Sequence, residues 1–205
     1  MPARRAHQGK LFVISGPSGG GKTTVIRELL RRVPKLRRSV SVTTRPRRSS
    51  ERHGAHYQFL PRDQFVRLRR RGALAEWARV HRAYYGTPAA PVRRTLARGE
   101  DAILSLDVQG ARQIRRRFGR QAVLIFLLPP SFDHLRQRLL KRRTDTPEAV
   151  QQRLQAAERE VACAAWYDYV VVNHRLRAAV DHLKAIVTAE RLRTYPGRED
   201  AKRAD

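Results

Sequence analysis

The chain has 205 residues, 41% of them hydrophobic and 30% charged, a balance that excludes wholesale disorder and predicts one domain, with or without inserts. No apolar run approaches the roughly 20 residues that span a bilayer, so we expect a soluble protein without a membrane partner. The lone Cys163 forms no internal disulfide and no secretory leader follows Met1, so we expect a cytoplasmic location. Its 44 lysine and arginine residues outnumber 18 acidic residues and give a net charge of +26, which predicts non-specific adhesion to nucleic acid. No module that reads nucleic-acid sequence accompanies this charge.

Short apolar runs alternate with helical patterns along the chain, which is typical of a parallel sheet with crossover helices. The predicted fold class is therefore α/β, with a central parallel five-stranded sheet flanked by helices. The predicted strands are residues 10–15, 39–43, 102–108, 122–128 and 169–172. The predicted helices are residues 23–33, 63–71, 88–98, 132–142, 147 to about 163, and 176 to about 193.

Two stretches interrupt this alternation. Residues 44–91 are poor in long apolar runs and predict an insert that carries substrate contacts. Residues 138–154 contain a charged turn between two helices, which is typical of a mobile lid. The predicted core is then residues 10–43, 92–137 and 155–195, with tails at 1–9 and 196–205.

A phosphate-binding loop follows the first predicted strand and precedes the first predicted helix. The sequence matches G-x-x-x-x-G-K-S/T, in which glycines let backbone N–H groups approach phosphate oxygens at a helix N-terminus. Lysine is expected on the transferring phosphate and threonine on Mg²⁺, so the motif predicts ATP or GTP with magnesium. The residues are Gly16, Pro17, Ser18, Gly19, Gly20, Gly21, Lys22 and Thr23.

Further motifs follow in a fixed order. They are Ser41-Val42-Thr43-Thr44-Arg45-Pro46-Arg47-Arg48, then Glu51 with Gly54 and Tyr57, then Glu76-Trp77-Ala78, Tyr84-Tyr85-Gly86-Thr87 and Asp107-Val108-Gln109-Gly110. Together with the phosphate loop, this order resembles the guanylate kinase family of P-loop nucleoside monophosphate kinases. The similarity runs from about residue 11 to residue 190.

The resemblance implies transfer of the ATP γ-phosphoryl group to GMP, and to dGMP, by a core, a GMP-binding insert and a lid, with Mg²⁺. It places Arg45, Arg48, Tyr57 and Tyr85 on the GMP phosphate, Ser41, Glu76 and Thr87 around guanine, and Asp107 beside the acceptor. It places Arg138, Arg142 and Arg153 on the ATP phosphates and Asn173 on the adenine side. Lys22, Arg45, Arg142 and Arg153 are the implied catalytic residues, and Thr23 the implied Mg²⁺ ligand.

The chemistry of these residue types fits those roles. Arginine presents a planar fork of donors to phosphate, so Arg45 and Arg48 suit a monophosphate. Guanine carries donors at N1 and N2 that one carboxylate accepts together, whereas adenine presents an acceptor at N1. Glu76 is therefore the expected determinant of base choice.

Each of these side chains also has a purely structural role open to it. Thr87 is placed to cap a helix beginning at Pro88, and Asp107 to cap or orient a loop. The corresponding structural roles are core packing for Tyr57 and Tyr85, an exposed charge for Glu76, a solvated helix face for Arg138 and a strand end for Asn173. The seven histidines show no ligand spacing, so no metal besides Mg²⁺ is expected, and Cys163 is expected to be buried.

Three further functions stay open at this point. One is a kinase-like binding module without catalysis, although its phosphate loop is intact. Another is a related phosphotransferase for a different phosphorylated acceptor, such as a ribose phosphate. The third is a nucleic-acid-binding protein, which the net charge alone suggests.

Overall fold

The structure, a computed structural model, describes residues 9–49, 51–80, 82–140 and 147–194. The strands are β1 (Leu11–Ser15), β2 (Leu36–Arg38), β3 (Val42–Thr43), β4 (Gln58–Phe59), β5 (Leu74–Val80), β6 (Ala83–Pro88), β7 (Asp101–Ser105), β8 (Ala122–Leu128) and β9 (Tyr169–Val172). The helices are α1 (Lys22–Arg32), α2 (Arg62–Arg70), α3 (Ala89–Ala97), α4 (Val108–Phe118), α5 (Phe132–Leu140), α6 (Pro147–Ala162) and α7 (Leu176–Leu192).

The larger sheet is parallel and has the strand order β2-β7-β1-β8-β9. Its central strand β1 is buried on both faces, which explains why its first four residues are all apolar. Phe12 and Ile14 face one core layer, which contains residues of α1 and α7, while Leu11 and Val13 face a second layer with residues of α3 and α4. The predicted α/β class with a five-stranded parallel sheet flanked by helices is confirmed.

A second sheet lies within residues 42–88 and has the order β4-β3-β6-β5. Strands β5 and β6 form an antiparallel hairpin, and β3 pairs antiparallel with β6 and parallel with β4. A small core of Val42, Phe65 and Leu74 holds α2 against this sheet. Phe65 also stacks on the ring of Tyr84, with centroids 5.4 Å apart. Three of the eight residues predicted to bind GMP, Glu76, Tyr85 and Thr87, lie on its strands, and Ser41 and Tyr57 directly precede two of them.

The predicted strand at residues 39–43 is wrong as a member of the larger sheet. The edge of the larger sheet beside β7 is formed by Leu36–Arg38, whereas Val42–Thr43 pairs with strands of the second sheet. The alternating Ser-Val-Ser-Val-Thr sequence has the stronger strand pattern, but an edge strand needs only one buried side chain. Leu36 provides it, with both following arginines exposed.

The predicted strand at residues 102–108 ends early, at Ser105, and Val108 begins a helix that the sequence pattern does not predict. The arginine-rich outer face of α4 conceals its apolar spacing, in which Ala111 and Ile114 are fully buried. The remaining predicted helices agree with the structure within two residues where the structure describes them. None of the helices in the described ranges is long and apolar enough to cross a membrane.

Candidate functional site

The phosphate-binding loop connects β1 to α1 and is packed too tightly for side chains at two of its glycines. A Cβ atom on Gly16 would lie 2.2 Å from the carbonyl oxygen of Leu127, and Gly16 has a φ of 140°. Gly21 has a φ of 93° and immediately precedes α1. The loop therefore needs glycine for both backbone conformation and space. Lys22 begins α1, and its Nζ donates to the carbonyl oxygens of Gly16 at 2.5 Å and Pro17 at 3.0 Å.

The side chain of Asn173, which directly follows β9, also contacts this loop. Its side-chain amide donates to the carbonyl oxygen of Gly20 at 2.9 Å and is buried. A Cβ on Gly21 would lie 2.5 Å from the same amide nitrogen. Asn173 also lines a cavity of about 380 Å³ beside the loop, together with Gly19, Gly21, Thr24, Arg138, His174 and Leu176. The structure thus gives Asn173 a contact with the loop in addition to its place beside that cavity.

A second cavity, of about 260 Å³, extends from the phosphate-binding loop to the second sheet. Its loop end contains Gly16, Ser18 and Lys22. The remaining lining residues come from the second sheet, the end of β7, the start of α4 and α6, and are Ser41, Tyr57, Glu76, Ala78, Val80, Tyr85, Gly86, Ser105, Leu106, Asp107 and Glu160. The fold therefore places the phosphate-binding loop and five of the eight predicted acceptor residues around one space; the five are Ser41, Tyr57, Glu76, Tyr85 and Asp107.

Glu76 of β5 is a buried acid in the wall of this cavity, with 4% of its surface exposed. Thr87, its partner in the hairpin register, donates its hydroxyl to Glu76 Oε1 at 2.6 Å, and Ser41 Oγ lies 3.4 Å from Thr87 Oγ1. Burial raises the pKa of Glu76 to about 7, the Thr87 hydrogen bond opposes that rise, and the nearby Asp107 adds to it. Glu76 is thus poised to ionise near neutral pH.

Arg45 lies in the loop after β3 and is held by a bidentate ion pair with Glu51. Its Nη1 and Nη2 donate to the two carboxylate oxygens at 2.7 and 2.5 Å, and both side chains are largely buried. The guanidinium also lies over the rings of Tyr57 and Phe59. The Arg45 hydrogen bonds lower the pKa of Glu51 to about 2, against the effect of burial, so Glu51 is ionised and Arg45 is fixed in one orientation.

Asp107 caps α4 by accepting a hydrogen bond from the Gly110 N–H at 2.8 Å, and it also lines the second cavity. Glu160 of α6 lines the same cavity. Burial raises the pKa of Glu160 to about 7, with Lys22 opposing the rise and Asp107 adding to it. Thr23, the predicted Mg²⁺ ligand, is exposed in the first turn of α1. These oxygen donors fit a hydrated Mg²⁺ that is held chiefly by nucleotide phosphates.

Comparisons with known proteins agree on one family. The family model described as guanylate kinase matches residues 8–190. The chain is 46% identical over 187 residues to the guanylate kinase of Carboxydothermus hydrogenoformans, covering 91% of each chain. It is 46% identical over 192 residues to that of Rhizobium etli, covering 94% of this chain and 87% of the relative. The chain belongs to the guanylate kinase family.

A solved structure supports the same assignment. The crystal structure of guanylate kinase from Anaplasma phagocytophilum matches with a TM-score of 0.78 and 32% identity, covering 92% of this chain and 89% of that one. The predicted guanylate kinase resemblance and enzyme class are therefore confirmed. The roles of individual site residues and the boundaries of the insert and lid remain predictions.

The structure of this guanylate kinase brings some predicted residues together and leaves others apart. Arg138 of α5 lies beside the phosphate-binding loop in the 380 Å³ cavity, and Arg153 is half-buried on α6. Arg48 has an exposed side chain, and its backbone N–H donates to Glu51 at 3.0 Å. Arg142 lies outside the described residues.

The structure decides several of the structural roles open to these side chains. Helix α3 begins after Pro88 with no side-chain cap, and the Thr87 hydroxyl is committed to Glu76, so a helix cap at Thr87 is wrong. An exposed charge at Glu76 is also wrong, because the side chain is buried. The cap at Asp107 is confirmed, but the same side chain also lines the cavity. Cys163 is only half-buried, because it follows the end of α6.

Two site residues escape prediction from the sequence. Glu51 belongs to one of the motifs, but nothing in a linear pattern shows that it pairs with Arg45. Glu160 could have been found from helical spacing, because it lies three residues after the buried Ala157 and so shares the inward face of α6. An acid on a buried helix face is uncommon enough to mark a site.

Proposed function

We propose that this guanylate kinase transfers the γ-phosphoryl group of ATP to GMP and dGMP, giving ADP and the guanosine diphosphates. The observation that carries the proposal is the single cavity that has Lys22 and the phosphate-binding loop at one end and Glu76 at the other. Such a space accommodates a nucleoside monophosphate whose phosphate points toward the loop. ATP is bound by the loop, with its base in the neighbouring cavity beside Arg138 and Asn173.

Base choice follows from the chemistry of Glu76. An ionised carboxylate accepts from both N1–H and the 2-amino group of guanine, and Thr87 occupies only one lone pair of Oε1. Adenine instead presents a lone pair at N1 and leaves a buried charge unpaired. Removing that pairing is costly, because a buried carboxylate such as Glu76 has little access to water that could compensate. Ser41, which lines the same wall, supplies a further hydroxyl toward the base.

The acceptor phosphate is bound by Arg45, Tyr57 and Tyr85, with Arg48 on the same loop as Arg45. Tyr57 and Tyr85 both line the cavity and meet edge to face, with ring centroids 6.0 Å apart. Glu51 fixes the Arg45 guanidinium before substrate arrives, so little side-chain entropy is lost on binding. The Arg48 side chain is exposed and is therefore accessible to the phosphate of GMP.

Phosphoryl transfer in this site depends on positioning and on neutralising charge. Lys22 contacts the transferring phosphate, and Arg138 and Arg153 contact the ATP phosphates, a role that the family resemblance also gives to Arg142. Thr23 would hold Mg²⁺, which when bound would supply further neutralisation of the phosphate oxygens. The acceptor is an ionised phosphate, so no general base is required.

The test is an acceptor panel with saturating ATP and Mg²⁺. We expect phosphorylation of GMP and dGMP, with AMP, UMP and ribose 5-phosphate at least about 100-fold poorer in kcat/KM. Preferred use of a ribose phosphate would replace the proposal with a phosphotransferase for that acceptor. An absence of GDP at saturating GMP would instead favour a binding module without catalysis.

The net charge of +26 supports a second, weaker property, which is non-specific adhesion to nucleic acid. Counterion release then dominates, so retention on DNA is lost as salt rises and does not depend on sequence. Retention that survives high salt and follows sequence would contradict this interpretation. A cytoplasmic location fits both substrates and stays a prediction.

A further inference from the structure

We propose that Gly110, in the first turn of α4, is a specificity-determining position of this kinase because its missing side chain leaves room for the Glu76 carboxylate. This inference rests on the proposed role of Glu76 in reading the guanine base. Gly110 acts through Glu76 and does not itself contact substrate, so it is a positioning residue.

Space, and not backbone conformation, is what requires glycine at this position. A Cβ atom on Gly110 would lie 2.7 Å from Glu76 Oε2 and 3.3 Å from its Cδ, closer than real Cβ atoms approach an oxygen. Gly110 lies within α4 and lacks the positive φ seen at Gly16, Gly21 and Gly119. Glycine is also a poorer helix former than alanine, so helix propensity does not account for its presence here.

The carboxylate has little freedom to move away from an added methyl group. Its second oxygen, Oε1, is held by the Thr87 hydroxyl at 2.6 Å. The backbone beside it is clamped to the same helix, because Gln113 accepts from the Trp77 N–H at 3.1 Å and donates to the Trp77 carbonyl oxygen at 2.6 Å. Helix α4 therefore fixes both the strand that carries Glu76 and the space that its side chain occupies.

A methyl group at position 110 would consequently turn the Glu76 carboxylate out of the plane of the guanine base that it is proposed to read. The two bonds from N1–H and the 2-amino group of guanine share that plane, so GMP loses both, whereas inosine monophosphate, which lacks the 2-amino group, loses one. The hydrogen bond from the residue 110 N–H to Asp107 is a backbone contact and survives the substitution. The expected defect is thus in base recognition, with the helix cap intact.

The experiment measures GMP, inosine monophosphate and ATP kinetics for Gly110→Ala, with Arg116→Ala on the exposed face of α4 as the control. We expect kcat/KM for GMP to fall about 10-fold or more, the preference for GMP over inosine monophosphate to shrink, and the KM for ATP to change less than about twofold. Arg116→Ala should leave all three unchanged. An unaltered preference in a folded Gly110→Ala protein would overturn the inference.

A double-mutant cycle with Glu76→Ala isolates the contact. Once the carboxylate is gone, Gly110→Ala should change GMP binding, measured by calorimetry, less than about twofold. If Gly110→Ala alone fails to fold, the double variant should fold, because nothing then occupies the space; a double variant that also fails would overturn the inference. If Glu76→Gln itself leaves GMP kinetics unchanged, the proposed role of Glu76 fails, which is a separate result.

Discussion

Thr87 donates its hydroxyl to the Glu76 carboxylate at 2.6 Å across the β5–β6 hairpin, and both side chains are buried, with Glu76 in the wall of the cavity that reaches the phosphate-binding loop. This bond orients the acid and opposes the effect of burial, which raises the pKa of Glu76. If Glu76 reads the base as proposed, the hairpin register contributes directly to the choice of base.

Replacing Thr87 with valine removes the donor while keeping the side-chain volume. We expect the KM for GMP to rise about 10-fold, because a hydrogen bond to a charged group is lost, and the KM for ATP to stay within about twofold. Initial-rate kinetics with each substrate varied in turn measure both. Thr188→Val on the exposed face of α7 makes the same chemical change away from the site and should have no effect. Equal damage to both substrates would point to misfolding of the hairpin.

The pH dependence of GMP use should follow the ionisation of Glu76. Burial raises its pKa to about 7, so in the free protein the carboxyl is neutral below that pH and ionised above it. Only the ionised form accepts both guanine donors, so kcat/KM for GMP should fall about 10-fold per pH unit below 7 and level off above it. The profile of kcat/KM against pH, measured from about pH 5 to 9, tests this.

The matched variants separate Glu76 from neighbouring groups that titrate in the same range. In the Glu76→Gln variant, the change in kcat/KM caused by Glu76 ionisation should disappear. The changes caused by Glu160, whose pKa also lies near 7, and by the GMP phosphate should remain. Glu160→Gln should keep the Glu76 step. A native profile that is flat from about pH 5 to 8 would mean that Glu76 is already ionised or does not read the base.

Glu51→Gln should impair GMP binding by releasing Arg45. The bidentate pair is largely buried, so without it the Arg45 guanidinium is no longer held in one orientation for the phosphate. We therefore expect the KM for GMP to rise about 10-fold, with little change in the KM for ATP. The exposed pair of Arg67 with Asp63 provides the control, because Asp63→Asn removes the same kind of charge where it contributes little. An increase in GMP affinity would show that Glu51 competes with the phosphate for Arg45.

The same pair contributes to acid stability. Because Arg45 lowers the pKa of Glu51 from 4.5 to about 2, its contribution is complete above pH 4.5 and is lost as the pH falls toward 2. Urea unfolding at about pH 7 and about pH 3 should show a smaller difference between native protein and Glu51→Gln at the lower pH. A difference that is constant with pH would contradict the ion pair.

Asn173→Ala should weaken binding on the ATP side through the phosphate-binding loop. The lost bond to the Gly20 carbonyl and the space opened beside Gly21 loosen the loop, so we expect the KM for ATP to rise about 10-fold and that for GMP to change little. Inorganic tripolyphosphate, as a competitive inhibitor, separates the loop from the base. If Asn173 acts through the loop, tripolyphosphate binding weakens in parallel; if only adenine nucleotides weaken, Asn173 acts by contacting adenine.

The parts of this molecule that the sequence predicts well are those that follow from local chemistry. The loop from Gly16 to Thr23 needs glycine at fixed spacing, and a strand as buried as β8 has a continuous apolar sequence. Edge strands leave weaker traces, which is why the pattern favours the more regular segment that follows Leu36–Arg38. Helix α4 escapes prediction because its polar face is crowded with arginine.

The site is predictable to the extent that motifs name its residues, and not beyond. Glu76 and Thr87 both belong to motifs, but their hydrogen bond depends on hairpin register, and a proline after Thr87 makes a helix cap equally plausible. The pairing of Arg45 with Glu51 and the contact of Asn173 with Gly20 join side chains to partners that no spacing rule connects. Those contacts are products of tertiary packing.

The most direct measurement compares native protein and Glu76→Gln for phosphorylation of GMP and AMP at saturating ATP and Mg²⁺. We expect Glu76→Gln to lose at least about 100-fold in kcat/KM for GMP, to keep its KM for ATP, and to discriminate far less between GMP and AMP. Unchanged GMP turnover with an unchanged preference for GMP would show that the buried carboxylate does not select the base.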